Sequence, residues 1–430
     1  MNINATSSFS NIQQINKDYS AEQPVEVKQD NSSPQATGDK VSLGGADKEV
    51  GVHKKWTVLH YGAGDNNLTD CLFADVNEME TVGSDDNAHI ISMLDQSFSD
   101  CKTYYITQDK QDAQDNTTKL HSPVVQNNGF DVNMSDPKVL ADFISWGIKN
   151  YPSEHVVVIV SSHGGGPEGA IADDKNSIDG SLMSPQDLRQ AFEEAEAKTG
   201  KKIDVLGFDA CLMANTEVAY ELKDVADYIV ASEEIEGGNG WAYNEILQKL
   251  KPSKLSSIVG KLTNKPAEVN PEGFAKSIVK NASKHRSDLF TLSAIDTSKM
   301  DKLANSIDEF AKSIKSFTDE KDLIGKEQLS IIRHKTKTFM ANDLIDLYDF
   351  CKLVVKNDDL KDDNLKAKAK DVIANLKETV IADSNWRKLY KKAHGLQIEM
   401  PFLGKPIEGY EELQFAKDTN WDEALNSMNS

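Results

Sequence analysis

Two residues of this 430-residue chain, His163 and Cys211, combine the side chains and surroundings that covalent chemistry requires. Each follows a short apolar run. Residues 156–160 lead through Ser161 and Ser162 to His163 and Gly164, and residues 203–208 lead through Asp209 and Ala210 to Cys211. Apolar runs of this length, rich in β-branched residues and closed by glycine or polar clusters, read as buried strands of a parallel sheet. The reactive groups of such sheets lie beyond the carboxyl ends of the strands. An imidazole and a thiol therefore share one rim. Cysteine is an intrinsic nucleophile that is mostly protonated at neutral pH, so a neighbouring histidine and a following helix N-terminus are the usual means of raising its thiolate character. The pattern after Cys211 predicts such a helix, over residues 212–222.

The elements that must hold this pair are legible on either side. Residues 56–61, 89–94 and 103–106 read as strands, and residues 68–79 continue the first at helical spacing. Asp136 followed by Pro137, with Val139, Leu140, Phe143, Ile144 and Ile148 on one face, predicts a capped amphipathic helix feeding the strand that ends at His163. Between His163 and Cys211 lie a polar loop and a second helix, opened by Ser184, Pro185 and Asp187 and closed by Gly200. Strands 203–208 and 228–232 follow. This alternation implies βαβ units and a mainly parallel sheet covered on both faces. Further on, residues 289–295 and 396–400 read as strands, and residues 300–317, 344–355 and 365–380 as helices.

Residues 1–53 are polar, with few large apolar side chains, and are expected to form a disordered tail. The proline-containing stretch 251–273 marks the expected boundary between a catalytic region, 54–250, and a largely helical C-terminal region, 251–405, that completes or flanks it. Residues 406–430 are expected to be a C-terminal tail.

A formal charge of -21 argues against nucleic acid and anionic membranes as partners. The four cysteines are widely spaced, without a Cys-x-x-Cys pair or a histidine cluster at zinc spacing, so neither a disulfide framework nor a structural metal is expected. No secretory leader pattern and no long apolar span is visible, which leaves a cytoplasmic location or export by a non-Sec route as the expectation.

His163 and Cys211 are 48 positions apart. With the blocks 62–68, 77–79, 162–166, 208–214, 231–234 and 240–243, and later 291–296, 346–350 and 395–401, the chain resembles the clostripain family of cysteine endopeptidases. These belong to the larger group that includes caspases, gingipains and legumains. The resemblance spans about residues 55–405. It implies an α/β fold, a caspase-like three-layer α/β/α sandwich, and a peptide substrate cut through an acyl-enzyme. Cys211 would be the nucleophile, His163 the general acid and base, and the backbone N–H groups of Gly164 and Cys211 the oxyanion hole.

The resemblance also carries a specificity. An Asp two positions before the nucleophile contributes in this family to a pocket for Arg or Lys, and Asp209 matches it; it could equally cap the expected Cys211 helix. Asn239 and Trp241 belong to the same pocket, but relatives often carry Asp where Asn239 stands, so a weaker preference for basic residues, or one shifted toward Lys, is expected. Relatives are commonly activated by cleavage between the His and Cys segments, and Lys175 in a polar loop is the candidate processing site. No cofactor is expected. Asp173, Asp174, Asn176 and Asp179 hint at calcium without matching EF-hand spacing. The alternatives are an inactive binding or regulatory protein on the same scaffold and a Cys-dependent transpeptidase. The chain is expected to be a monomer.

Overall fold

The computed structural model describes residues 46–109, 119–173, 182–251, 269–284, 286–340, 343–385, 388–402 and 405–429. At its centre are five parallel strands: β1 (Lys54–Gly64), β2 (Ala88–Gln96), β5 (Ser153–Ser161), β6 (Ile203–Asp209) and β7 (Ala226–Ala231). Antiparallel strands extend both edges. These are β3 (Asp100–Tyr105) and β4 (Val124–Phe130) beside β2, and β8 (Thr291–Asp296) and β10 (Val380–Asn385) beside β7. The order across the nine strands is β10-β8-β7-β6-β5-β1-β2-β3-β4, so the order in which successive strands are added switches sides between the parallel neighbours β1 and β5. A switch of this kind opens a crevice at the carboxyl ends of the strands.

Strand side chains alternate between the faces with the two-residue period of extended backbone. Leu59, Tyr61, Val156, Val158 and Val160 join one apolar core, and Val58, Val157 and Ile159 join the other. Each such side chain, fully buried, contributes about 1.5–3 kcal/mol. The first core is covered by α2 (Pro137–Asn150), α3 (Pro185–Thr199), α4 (Thr216–Glu221), α7 (Met300–Lys335), α8 (Leu347–Lys356) and α9 (Asp363–Thr379). The second is covered by α1 (Thr69–Val82), α5 (Tyr243–Leu247) and α6 (Pro271–Asn281). The result is the expected three-layer α/β/α sandwich.

Local signals were followed where they were strong. Asp136 accepts the Lys138 N–H at 2.8 Å, and Ser184 accepts the Asp187 N–H at 3.1 Å, caps of the kind worth about 1 kcal/mol each. Gly200 ends α3 with φ +68°, a left-handed turn that costs glycine nothing.

Other expectations change. Most of the expected boundary stretch, residues 252–268, lies outside the described residues. From the C-terminal half, β8 and β10 extend the same sheet as β1. Residues 344–346 form β9 (Leu344–Asp346), paired antiparallel with β11 (Gln397–Glu399), instead of starting a helix. Residues 406–430 are no loose tail over their described part: the turn Tyr410–Glu412, α10 (Gln414–Asp418) and α11 (Trp421–Asn429) bury Tyr410, Phe415 and Trp421 respectively in the first core.

Candidate active site

Strands β5 and β6 are hydrogen-bonded neighbours in register at Ser161 and Asp209, so the segments that leave them emerge side by side. After β5 the chain is pinned at once. Ser162 donates its N–H to the Asp209 carbonyl at 3.4 Å and its hydroxyl to the Ala63 carbonyl at 3.0 Å, while the His163 carbonyl accepts the Ile171 N–H at 3.0 Å. The His163 ring then reaches toward the end of β1, where Nε2 bonds Asn67 Oδ1 at 2.7 Å. An amide oxygen only accepts, so Nε2 is the donor in this contact. Gly164 lies against the segment leaving β6. A Cβ there would meet the Cys211 carbonyl oxygen head-on and sit 3.0 Å from Met213 Cγ and 3.1 Å from Ala210 Cβ. His163, Gly164 and Cys211 are thus brought to one rim.

Cys211 does not open a helix. Leu212 has φ +66°, and the helix starts only at Thr216, capped by Asn215 Oδ1 on the Val218 N–H at 3.0 Å. The intervening turn is held from two sides. Leu212 and Ala214 donate to the carbonyls of Glu234 and Ser232 at 3.3 and 2.8 Å, and Gln397 donates its N–H to the Ala214 carbonyl at 3.0 Å and its side-chain amide to the Leu212 carbonyl. These tertiary bonds hold the turn in a left-handed conformation that a leucine does not choose alone. The helix dipole therefore does not act on the thiol at first-turn range. Burial pushes the Cys211 thiol up, opposed by the Glu236 N–H, which donates to Sγ at 3.3 Å; the thiol in turn faces the Glu236 carbonyl at 3.7 Å. Burial thus raises the thiol where a helix N-terminus would have lowered it.

Asp209 is buried beneath the 233–243 loop. Its Oδ2 accepts the Trp241 N–H at 3.1 Å and the Tyr243 hydroxyl at 2.8 Å. Tyr243 continues through Ser161 at 2.8 Å to His60 at 3.0 Å and Ser92 at 2.9 Å, a buried polar chain across four strands. His60 is a fully enclosed member of it, held neutral by burial, which pushes it down to about 3. The ring of Trp241 is fully buried against Gly207, so it forms the floor of the loop and presents no open face to a substrate. Asn239 is exposed, and its amide donates to Asp288 Oδ2 at 2.9 Å. Lys175 lies outside the described residues, as do Asp174, Asn176 and Asp179. Asp173 spends Oδ2 on the Met134 N–H at 2.9 Å. Among the described residues no group of three or more His, Cys, Asp or Glu side chains is arranged to hold a metal ion.

Four residues of this region escaped the sequence reading: Asn67, Asp75, Glu236 and Asp288. For Asp75 a signal existed, since it falls on the buried face of α1 with Leu72, Val76 and Met79, where an acid needs a reason. Asn67 stands just beyond β1, on the rim that the parallel sheet predicts. Glu236 and Asp288 carried no signal, because only the folded loop brings them in.

A mainly parallel sandwich that presents His-Gly from one strand and a pinned cysteine turn from the next defines a cysteine peptidase of the caspase-like kind. The clostripain family profile matches residues 60–428, and the chain belongs to that family of cysteine endopeptidases. Clostripain of Hathewaya histolytica is 27% identical over 370 residues, covering 75% of this chain and 69% of that protein. A secreted C11 cysteine protease of Bacteroides thetaiotaomicron, solved with an irreversible peptide inhibitor, superposes with a TM-score of 0.63 at 19% identity over 86% of this chain and 99% of that one. An inactive zymogen C11 protease of Parabacteroides distasonis gives 0.61 at 18% identity with the same coverage.

Proposed function

We propose that the chain cleaves peptide bonds after Lys or Arg, with Cys211 as nucleophile and His163 as general acid and base. The observation that carries the dyad is the packing of Gly164 on the Cys211 turn beside a His163 already oriented by Asn67. Substrate entering over Cys211 displaces the Glu236 main chain from Sγ. His163 takes the thiol proton as the C–S bond forms, and the carbonyl oxygen draws charge toward the N–H groups of Gly164 and Cys211. The same proton passes to the leaving amine as the C–N bond breaks, and His163 then removes a proton from the water that hydrolyses the thioester. Asp209 supplies the charge that favours a basic side chain before the scissile bond.

Turnover of a peptide library by wild type beside Cys211→Ala and His163→Ala tests this reading. Loss of turnover in both variants and enrichment of Lys or Arg before the cut are expected. Unchanged turnover in either variant removes that residue from the dyad, and a preference for Asp or a small apolar residue removes the role of Asp209. We also propose that the enzyme activates itself by cutting after Lys175, where the family resemblance and a lysine of the preferred type coincide. Wild type should split near residue 175 and Cys211→Ala should stay whole. If both split, or neither does, self-processing there is wrong.

A further inference from the structure

The segment that follows the nucleophile is held by a side chain from the far end of the chain. Gln397 of β11 is fully buried and spends backbone and side chain alike on that segment. Its N–H donates to the Ala214 carbonyl at 3.0 Å, its carbonyl accepts the Thr216 hydroxyl at 2.7 Å, and its side-chain amide donates to the Leu212 carbonyl. The last of these bonds also lies against the histidine segment. A Cβ at Gly166, where φ is +64°, would stand 3.2 Å from the Leu212 oxygen, 3.2 Å from Leu344 Cδ1 and 3.7 Å from Gln397 Nε2. The amide thus sits where the segment after His163, the turn after Cys211 and the β9–β11 pair come together.

We propose that Gln397 is a positioning residue of the reaction: its side-chain amide, by fixing the Leu212 carbonyl beside Gly166, sets the Cys211 thiol against the His163 imidazole. This rests on the His163–Cys211 dyad proposed above. Leucine is crowded at φ +66°, and released from its ties it returns to negative φ. That return rotates the peptide group carrying the Cys211 carbonyl, the oxygen on which Gly164 is packed. The nucleophile and the imidazole then lose their common reference, although neither has been altered.

The price of the amide shows where its use lies. Its Oε1 is buried with no hydrogen-bond partner among the described residues, a cost that an apolar side chain of the same length would avoid. What glutamine contributes here is therefore its nitrogen. The strand behind it is a firm support. β11 is paired with β9, and Gly395 donates its N–H to Glu233 Oε2 at 2.8 Å and accepts the Ser293 hydroxyl at 2.5 Å. Through Gln397 the C-terminal region becomes part of the active site.

The test uses the full chain, the library peptide that wild type cuts best, and two variants. Gln397→Met keeps the length and removes the donor, so kcat should fall about tenfold or more with KM within about twofold, as expected when only the reacting groups are displaced. Gln397→Glu can donate only while its carboxyl is protonated, a form that burial favours, and once ionised it repels the Leu212 carbonyl. Its kcat relative to wild type should fall as pH rises, while that of Gln397→Met stays level, in proteins that melts show to be folded at each pH. An unchanged kcat in Gln397→Met, a loss carried by KM alone, or a level ratio in Gln397→Glu overturns the assignment. If Gln397→Met does not fold, the profile of Gln397→Glu decides. If neither folds at any pH, the amide is a core bond and the positioning role is overturned. Turnover that survives Cys211→Ala instead removes the dyad itself.

Discussion

Replacing Gly164 by Ala probes the contact that joins the two halves of the dyad. The added Cβ would overlap the Cys211 carbonyl oxygen and stand 3.0 Å from Met213 Cγ and 3.1 Å from Ala210 Cβ. Carbon contacts are comfortable at about 3.5 Å and beyond, so the two backbones must separate by roughly 1 Å. Neither can yield freely. The Cys211 turn is tied to residues 232 and 234 and to Gln397, and the His163 side is tied to Ala63 and Ile171. Overpacking of this sort costs about 1–3 kcal/mol of stability, and a 1 Å displacement of reacting groups costs about a hundredfold in rate. Gly164→Ala is therefore expected to lose about two orders of magnitude in kcat/KM, with a modestly lowered melting temperature and slower alkylation of Cys211. Gly200→Ala serves as the comparison. Its Cβ would meet nothing within 4 Å, and only the φ of +68° opposes it, so a loss of about 1 kcal/mol in stability with unchanged turnover is expected. A Gly164→Ala enzyme with full activity and an unaltered melt would refute the rigid abutment of the His163 and Cys211 segments.

Other perturbations report on separate parts of the molecule. Asn67→Ala removes the partner of His163 Nε2 from an exposed position, so kcat should fall about tenfold while chemical denaturation shifts by less than about 0.5 kcal/mol; equal kcat in both proteins would remove Asn67 from the orientation of the imidazole. Burial pushes Glu399 up to about 8 and Glu217 to about 7, with the neighbouring Glu217 adding to Glu399. The native state thus holds protons that the unfolded chain, with glutamate near 4.5, has released, so stability falls as pH rises from about 4.5 toward 8. Glu399→Gln should flatten that decline in melting temperature, and a slope identical to wild type would contradict the buried pair. Leu212→Gly should relieve the left-handed strain but remove a buried side chain packed with Phe339 and Leu344, lowering kcat and costing about 1–3 kcal/mol of stability in net; a variant with raised kcat would show that the strain opposes catalysis.

The amino-acid order alone determined the parallel strands, their capped helices and the rim on which His163 and Cys211 meet. Each of these is encoded locally. A two-residue apolar alternation, a Ser or Asp before Pro, and a glycine at a helix end favour one conformation over a few residues whatever lies elsewhere. The same local logic misplaced the segment after Cys211, because the pattern of residues 212–222 is that of a helix. Only contacts to residues 232 and 234 and to Gln397, distant in the chain, keep Leu212 left-handed and delay α4 to Thr216. The grouping of buried acids beside Cys211 was hidden for the same reason. Asp75, Asp209 and Glu236 come from a helix, a strand and a loop, and their charges act on one another only across a few ångströms of protein interior that folding creates. The chemistry of the chain was thus written in short runs of sequence, whereas the state of its thiol and the charge beside it arose from long-range packing, which no short run records.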